Sequence, residues 1–444
     1  MKNRGWQFAA VAALVIAGGF SQVMAASSPG AFVTPGDSNV SLATQYQAAE
    51  AFATTGVSKE EARTVLVDGS KGSFMPAAAA AMGSGTVTGA AVSNIMNNAS
   101  GTRGLASLRI ASGATAVAAS NVGAATATAI GGSGGVIQNR MNTIMSERRA
   151  TVESFGASSA LASAYMNSNL ANRLWVSPFY VYQDMSKKDG YAAYDYKAWG
   201  ASLGYDRAFG QFTAGVAFTY SRGDYDEKDM HDDNTVDNYG VSAYINYYSA
   251  CSGFWAGLNG GYNYGDNEMK QFESINNGWV NGDSHTNTYW LGGNVGYDFK
   301  ISENWMLTPS TGLYWSESKS SAYTTSGVLS MNVGKIKNKA LLLPVDLAAT
   351  YTTRLDECST LQFKVGGGYS YNFKNDGAEG DMRYNYAGAL PIVIQGVKPG
   401  RHGWNATAGI KYTRNRFDVG LDYRYDGKKK FDGHRVSATF GVSF

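Results

Sequence analysis

Residues 435–444 read Arg-Val-Ser-Ala-Thr-Phe-Gly-Val-Ser-Phe, and their rhythm decides the fold. Val436, Ala438, Phe440, Val442 and Phe444 alternate with Arg435, Ser437, Thr439, Gly441 and Ser443. Successive side chains of a strand leave opposite faces, so a strict period of two predicts a strand with one apolar and one small or polar face. A soluble sheet rarely leaves so apolar an edge unblunted. A closed barrel in lipid has no edge and places apolar residues outward and polar ones inward.

Working back from this strand, the same pattern recurs to Arg173. Twelve strands are expected, at about 173–182, 197–206, 211–222, 235–248, 253–264, 285–299, 304–316, 340–353, 360–373, 403–413, 416–426 and 434–444. In one of them Phe417, Val419, Leu421, Tyr423 and Tyr425 oppose Asp418, Gly420, Asp422, Arg424 and Asp426. Three Asp and an Arg on one face require water there, and the other face requires lipid or core. Each strand reaches the ~9–11 residues that cross a bilayer obliquely.

The connections sort by parity. Long polar segments (183–196, 223–234, 265–284, 317–339 and 374–402) follow the odd strands, and tight turns such as 207–210, 249–252, 300–303, 354–359 and 414–415 follow the even ones. Long external loops and short periplasmic turns are the pattern of transmembrane barrels. The hairpin at 427–433 is short for an external loop. Trp175, Tyr180, Tyr182, Trp199, Trp255, Trp305, Trp315 and Trp404 fall near strand ends, where interfacial girdles place aromatics.

Composition agrees. Among 444 residues there are 54 Gly, 28 Tyr and 9 Trp, but charged residues are 16%, below the roughly 25% of soluble domains. A formal net charge of +2 implies no nucleic-acid partner. Lys2 and Arg4, the apolar run Phe8 to Phe20 and Val23-Met24-Ala25 read as a secretory signal over 1–25. Two cysteines, Cys251 and Cys358, sit in turns far apart around the expected wall, so a bridge between them is not expected.

Residues 26–135 are compositionally separate. Ser58-Lys59-Glu60-Glu61 has capping-box spacing, which predicts a helix over 58–67, with another over 41–54. From Ala77 to Gly135 the chain is mostly Ala, Gly, Ser, Thr and Asn, too little apolar area to offset ordering, so disorder is expected. Over 136–170, Val136, Ile137, Met141, Ile144, Met145, Val152 and Phe155 recur at steps of three and four, with Arg140, Arg148 and Arg149 among them. This predicts a helix threaded through the barrel lumen, where charge is tolerated.

No catalytic constellation emerges. Gly36-Asp37-Ser38 resembles the start of an esterase block, but no His precedes His231 and the segment is too short for a hydrolase domain. His231, His285, His402 and His434 lack metal-ligand spacing, and the acidic run Asp226–Asp233 reads as a solvated loop. No cofactor or metal is expected.

Residues from about 170 to 444 resemble the C-terminal translocator barrel of bacterial autotransporters. The resemblance is carried by Leu174-Trp175-Val176-Ser177-Pro178-Phe179, by Gly200 to Asp206, by Gly215 to Tyr220 and by the terminal Phe444. It implies an all-β, twelve-stranded antiparallel barrel (171–444), monomeric and set among outer-membrane lipids. It implies periplasmic chaperones and an outer-membrane assembly machinery that reads Val436, Ala438, Phe440, Val442 and Phe444. The linker helix (136–170) with Asn139-Arg140-Met141 is similar to the family's pore segment, and Asn139 and Asn142 are candidate cleavage neighbours. The upstream segment (26–135) becomes a short passenger carried to the cell surface. The competing readings are a plugged porin-like channel and an adhesin acting through its long loops.

Overall fold

The computed structural model describes residues 27–115, 132–154, 172–249, 252–374, 377–398 and 400–444. The expected signal segment, the 116–131 tract, residues 155–171 and Cys251 lie outside the described residues. Twelve long antiparallel strands form the wall: β1 (Asn172–Met185), β2 (Tyr194–Phe209), β3 (Phe212–Glu227), β4 (Asn234–Tyr248), β5 (Phe254–Glu273), β6 (Gly278–Tyr297), β7 (Trp305–Ser320), β8 (Ile336–Asp356), β9 (Ser359–Lys374), β10 (His402–Arg414), β11 (Phe417–Lys428) and β12 (Phe431–Ser443). The wall closes on itself. β1 pairs with β12 from Arg173–Ser443 to Met185–Phe431, and Phe444 and Asn172 exchange backbone hydrogen bonds of 2.8 and 3.2 Å. Closure leaves no barrel edge unpaired, which hydrocarbon demands.

The two-beat rhythm resolves as the sequence predicts. On β3, Val216 and Phe218 point outward and are 57% and 49% exposed, while Thr219 and Ser221 are buried on the lumen side. Lumen hydroxyls pair across strands, as in Ser202 with Thr219 (2.7 Å) and Thr288 with Ser318 (2.8 Å). An outer surface this apolar is unstable in water and suits acyl chains.

Four expectations change. The segment 265–284 is not a loop: β5 and β6 continue past the belt and meet at a turn over 274–277. The long connections after β7 and β9 carry short strands of their own, including Met331–Val333, Glu379–Tyr384 and Ile392–Gln395. Trp175 and Trp255 do not belong to the girdle. Each is buried on the lumen side, whereas Trp199, Trp305, Trp315 and Trp404 are outward.

The fourth change is the largest. Residues 77–112 are mostly helical, not disordered. Five helices form a bundle: α1 (Leu42–Ala53), α2 (Lys59–Leu66), α3 (Phe74–Met82), α4 (Val87–Asn98) and α5 (Gly101–Ser112). Ser58 caps α2 as the spacing predicts, with its Oγ accepting from the Glu61 amide at 3.2 Å and donating to Glu61 Oε2 at 2.7 Å. Small residues let α3 and α4 approach closely: a Cβ on Gly89 would sit 2.2 Å from the Ala81 carbonyl oxygen. The bundle also borrows apolar area. Its core residues Phe52, Leu66, Phe74, Ile95 and Leu108 share one cluster with Leu329, Met331, Met382, Tyr384, Ile392 and Ile394 of the barrel's long connections. A composition that cannot fill a core alone fills one jointly with the loops.

Candidate functional site

A sixth helix, α6 (Gly132–Ser154), lies inside the barrel. Its apolar side, Val136, Ile137, Met141 and Ile144, packs with Phe179, Val181, Tyr196 and Ala198 of β1 and β2 and with Tyr244 of β4. Arg140 is 3% exposed. Its Nε donates to Asp206 Oδ2 at 2.8 Å and its Nη2 to Oδ1 at 3.0 Å. Tyr244 donates to the same Asp206 Oδ2 at 2.9 Å, and Trp175 Nε1 donates to the Tyr244 hydroxyl at 3.2 Å. The members of this anchor thus satisfy one another, the condition under which a buried charge pair holds position. Toward the other wall, Tyr314 donates to Gln138 Oε1 at 2.7 Å and Asn139 Nδ2 donates to Asp422 Oδ2 at 2.8 Å.

The helix fills one side of the lumen only. Between it and the facing strands lies a cavity of about 160 Å³, bordered by Asn139, Asn142, Asp346, Asp422, Arg424 and Arg435. Its lining is charged, as the Asp face of β11 predicted. Arg173 reaches Asp418 at the other side of the seam.

The direction of α6 follows from its neighbours. Thr115, at the end of the helical bundle, donates to Gln271 at 2.9 Å near the long-loop end of β5. Met145 packs with Tyr248 and Trp255, which flank a short turn at the opposite end. Among the described residues, the bundle therefore lies at the long-loop mouth, and α6 runs so that Met145 reaches the short-turn end, where β1 begins.

The bundle sits on that mouth. Arg109 of α5, 2% exposed, donates to Glu61 Oε1 at 3.1 Å and lies 3.7 Å from Asp229 of the β3–β4 connection. Lys187, from the β1–β2 connection, bridges the same Glu61 and Asp229 at 2.9 and 2.8 Å. Burial alone would raise both carboxyls, but the Lys187 ammonium and the Arg109 guanidinium outweigh it and hold them below the usual range. Nearby Glu227 is pushed up to about 7, chiefly by burial, with the neighbouring Asp232 adding to it and Arg109 opposing it. Further contacts tie the mouth to the bundle: Arg103 to the Ser274 carbonyl (2.7 Å), Tyr384 to the Ala111 carbonyl (3.1 Å), and the Val393 amide to Ser73 Oγ (2.8 Å).

Other singled-out residues resolve simply. Arg148 and Arg149 belong to α6, but their side chains lie outside the described residues. Asn142 contacts Gln138 on its own helix. Val436, Phe440 and Phe444 are exposed on the lipid face. Cys358 is a free, exposed thiol. His402 and His434 bond Tyr369 and Tyr423 rather than one another. The acidic run is more than a solvated loop, because Lys228 within it pairs with Asp195 at 3.2 Å and Asp232 accepts from the Glu227 amide at 3.1 Å. The sequence reading missed Asp206, Tyr244 and Asp422 as partners of the helix.

A closed barrel with an apolar outer belt, a polar lumen and a charged helix latched inside defines an outer-membrane barrel of the plugged kind. The profile of the autotransporter beta-domain matches residues 174–424, and the chain belongs to that family. It is a protein of the bacterial outer membrane. It is similar to outer membrane protein B of Rickettsia prowazekii (strain Madrid E), 23% identical over 333 residues, covering 70% of this chain and 20% of that protein. The chain thus spans about a fifth of that relative's length. Among solved structures it is similar to the translocator domain of the autotransporter NalP from Neisseria meningitidis, 15% identical with a TM-score of 0.48, covering 62% of this chain and 88% of that one. The beta domain of the Bordetella autotransporter BrkA gives 17% and 0.48, covering 62% and 100%.

Proposed function

We propose that the barrel carries its own helical bundle, residues 27–115, to the cell surface and keeps it seated on the outer mouth. One observation carries this reading: α6 joins a bundle at the long-loop end to a barrel whose first strand starts at the short-turn end. A chain so threaded has its upstream part outside and its barrel termini in the periplasm. No chemistry is required of the barrel, and the function is export and anchoring rather than catalysis.

The channel and adhesin readings fit less well. A conducting pore needs a clear lumen, and here α6 is latched in it by Arg140. An adhesin acting through its long loops needs them exposed, and Met331, Met382, Ile392 and Ile394 are buried under the bundle.

Lipid around the belt, and an assembly machinery that engages β12, are the partners this reading calls for. If the linker is cut, Asn139 is the better placed of the two candidate neighbours. Its side-chain amide donates to the Asp422 carboxylate, which fixes its position at the lumen wall. The test is an epitope inserted at Gly85, where a Cβ meets nothing within 4 Å. Antibody should reach it on intact cells. Detection only after lysis, with the barrel assembled, overturns export.

A further inference from the structure

The outer rim is electrically two-sided. Over β3 to β6 it presents exposed Asp224, Asp226, Asp233, Asp266, Glu268 and Asp283. Over β11, β12 and β1 it presents mainly lysines, with Asp189 and Asp432 exposed among them. Lys429 and Lys430 form the whole connection between β11 and β12. The Ser186 amide donates to the Lys430 carbonyl at 2.9 Å, and Lys188 Nζ donates to the Lys398 carbonyl. A Cβ on Gly400 would lie 3.3 Å from the Lys429 nitrogen. Three connections therefore bring Lys188, Lys398, Lys429 and Lys430 into one sector.

These cations are not held in ion pairs, although Asp189 and Glu379 lie within electrostatic reach of Lys188 and Lys398. Lys71, Lys187, Lys228, Lys270, Lys319 and Lys339 each form ion pairs. Among the described residues, none of the four in this sector has a carboxylate at ion-pair distance. Burial lowers the Lys188 ammonium and the charge of Lys429 lowers it further, against the opposing pull of Asp189. Lys430 is also held at φ 66°, in a two-residue hairpin where Asn or Gly is favoured.

The sector sits directly above aromatics that mark an interface. Trp404 packs on Tyr425 with ring centroids 4.5 Å apart, and His434 stacks on Tyr182 at 6.0 Å. Below them on the same strands, Val436 and Leu421 face lipid. Clustered cations just beyond an interfacial belt are placed to meet anionic headgroups.

We propose that Lys188, Lys398, Lys429 and Lys430 form a binding site for the phosphates of an outer-leaflet lipid headgroup. The leaflet assignment rests on the export orientation above; binding itself does not. The full chain in phosphatidylcholine nanodiscs, with or without a bisphosphorylated glucosamine lipid (lipid A), tests it by native mass spectrometry. The intact chain should retain the lipid in a salt-sensitive way, and the Lys188→Gln/Lys398→Gln/Lys429→Gln/Lys430→Gln variant should lose about fivefold in affinity for each lysine removed. The Lys335→Gln/Lys337→Gln control, at the outer end of β8, should bind as the wild type does. Heat-modifiable gel mobility confirms that each barrel is folded. Equal retention by the quadruple variant, equal loss in the control, or equal binding of the dephosphorylated lipid overturns the proposal. So does tight capture of inorganic phosphate alone, which would mark a free-anion site. Because nanodiscs bypass export, a negative result leaves the export reading standing, and an inaccessible epitope leaves lipid binding standing.

Discussion

Arg140 of α6 and Asp206 of β2 meet through two hydrogen bonds, 2.8 and 3.0 Å, inside the barrel. The pair lies on the lumen side of a wall held by strand hydrogen bonds, so it fixes the helix rather than the barrel. Removing one partner of a buried pair leaves the other uncompensated, at about 3–5 kcal/mol. Arg140→Ala should therefore free α6 while the barrel stays heat-modifiable on a gel. Planar-bilayer conductance should rise from near zero to frequent openings. Unchanged conductance in the variant would deny Arg140 the role of latch.

The bundle depends on Arg109 in the same way. It joins Glu61 and Asp229 across the boundary between α5, α2 and the β3–β4 connection. Arg109→Ala should speed proteolysis of residues 27–115 by well over tenfold, since a loss of ~2–3 kcal/mol in docking raises the open population accordingly. The strand fragments of the barrel should persist. Equal proteolysis rates in wild type and variant would mean that the apolar seam alone holds the bundle.

Docking should also depend on pH. Glu227 lies in a small space walled by Thr64, Val65 and Arg109 of the bundle and by Tyr194 and Tyr225 of the barrel. Tyr225 donates to it at 3.5 Å, and Asp229 and Asp232 are its charged neighbours besides Arg109. Its carboxyl stands at about 7 and that of Asp232 at about 6, both raised mainly by burial. A raised carboxyl stabilises the assembled state fully below its ordinary value, and that stability is lost as pH rises through the raised one. Glu61 and Asp229 are depressed, so their contribution is lost only as pH falls through their lowered values. The bundle should resist protease best near pH 5–6 and less at pH 8, and Glu227→Gln should flatten that difference. A wild-type profile that improves from pH 6 to 8 would contradict this account.

The parts of this architecture that were legible in the sequence are those where two solvents act on one strand. Lipid outside and water inside force alternation, so the Asp face of β11 and the Val/Leu/Tyr face opposite it could be read directly. Applied residue by residue, the same rule corrects the girdle. Leu174 and Val176 face lipid, so Trp175 between them must face the lumen, and outward Phe254 fixes Trp255 likewise. Of the bundle, α1 and α2 were legible, but α3 to α5 were not, for a different reason. These Ala- and Gly-rich helices complete their core with residues far downstream, from Leu329 to Ile394, and no local pattern reports such a partner. Asp206 was hidden because a carboxylate beside a turn is ordinarily solvated; here Arg140 of α6 and Tyr244 of β4 enclose it.

The close approach of α3 and α4 gives a last test, because it separates packing from docking. Gly89 is opposed by the Ala81 carbonyl and by Ser84 Oγ, which would lie 2.2 and 2.4 Å from an added Cβ. The first obstacle is helix backbone and cannot swing aside, so Gly89→Val forces the two helices apart. Overpacking of this kind costs about 1–3 kcal/mol, and the tract has few large side chains with which to re-form a core. The variant should lose helical circular dichroism from the 27–115 region and expose it to protease, while barrel assembly and α6 anchoring stay intact. Loss of the folded barrel as well would mean that the bundle is needed for insertion and is more than a passive load.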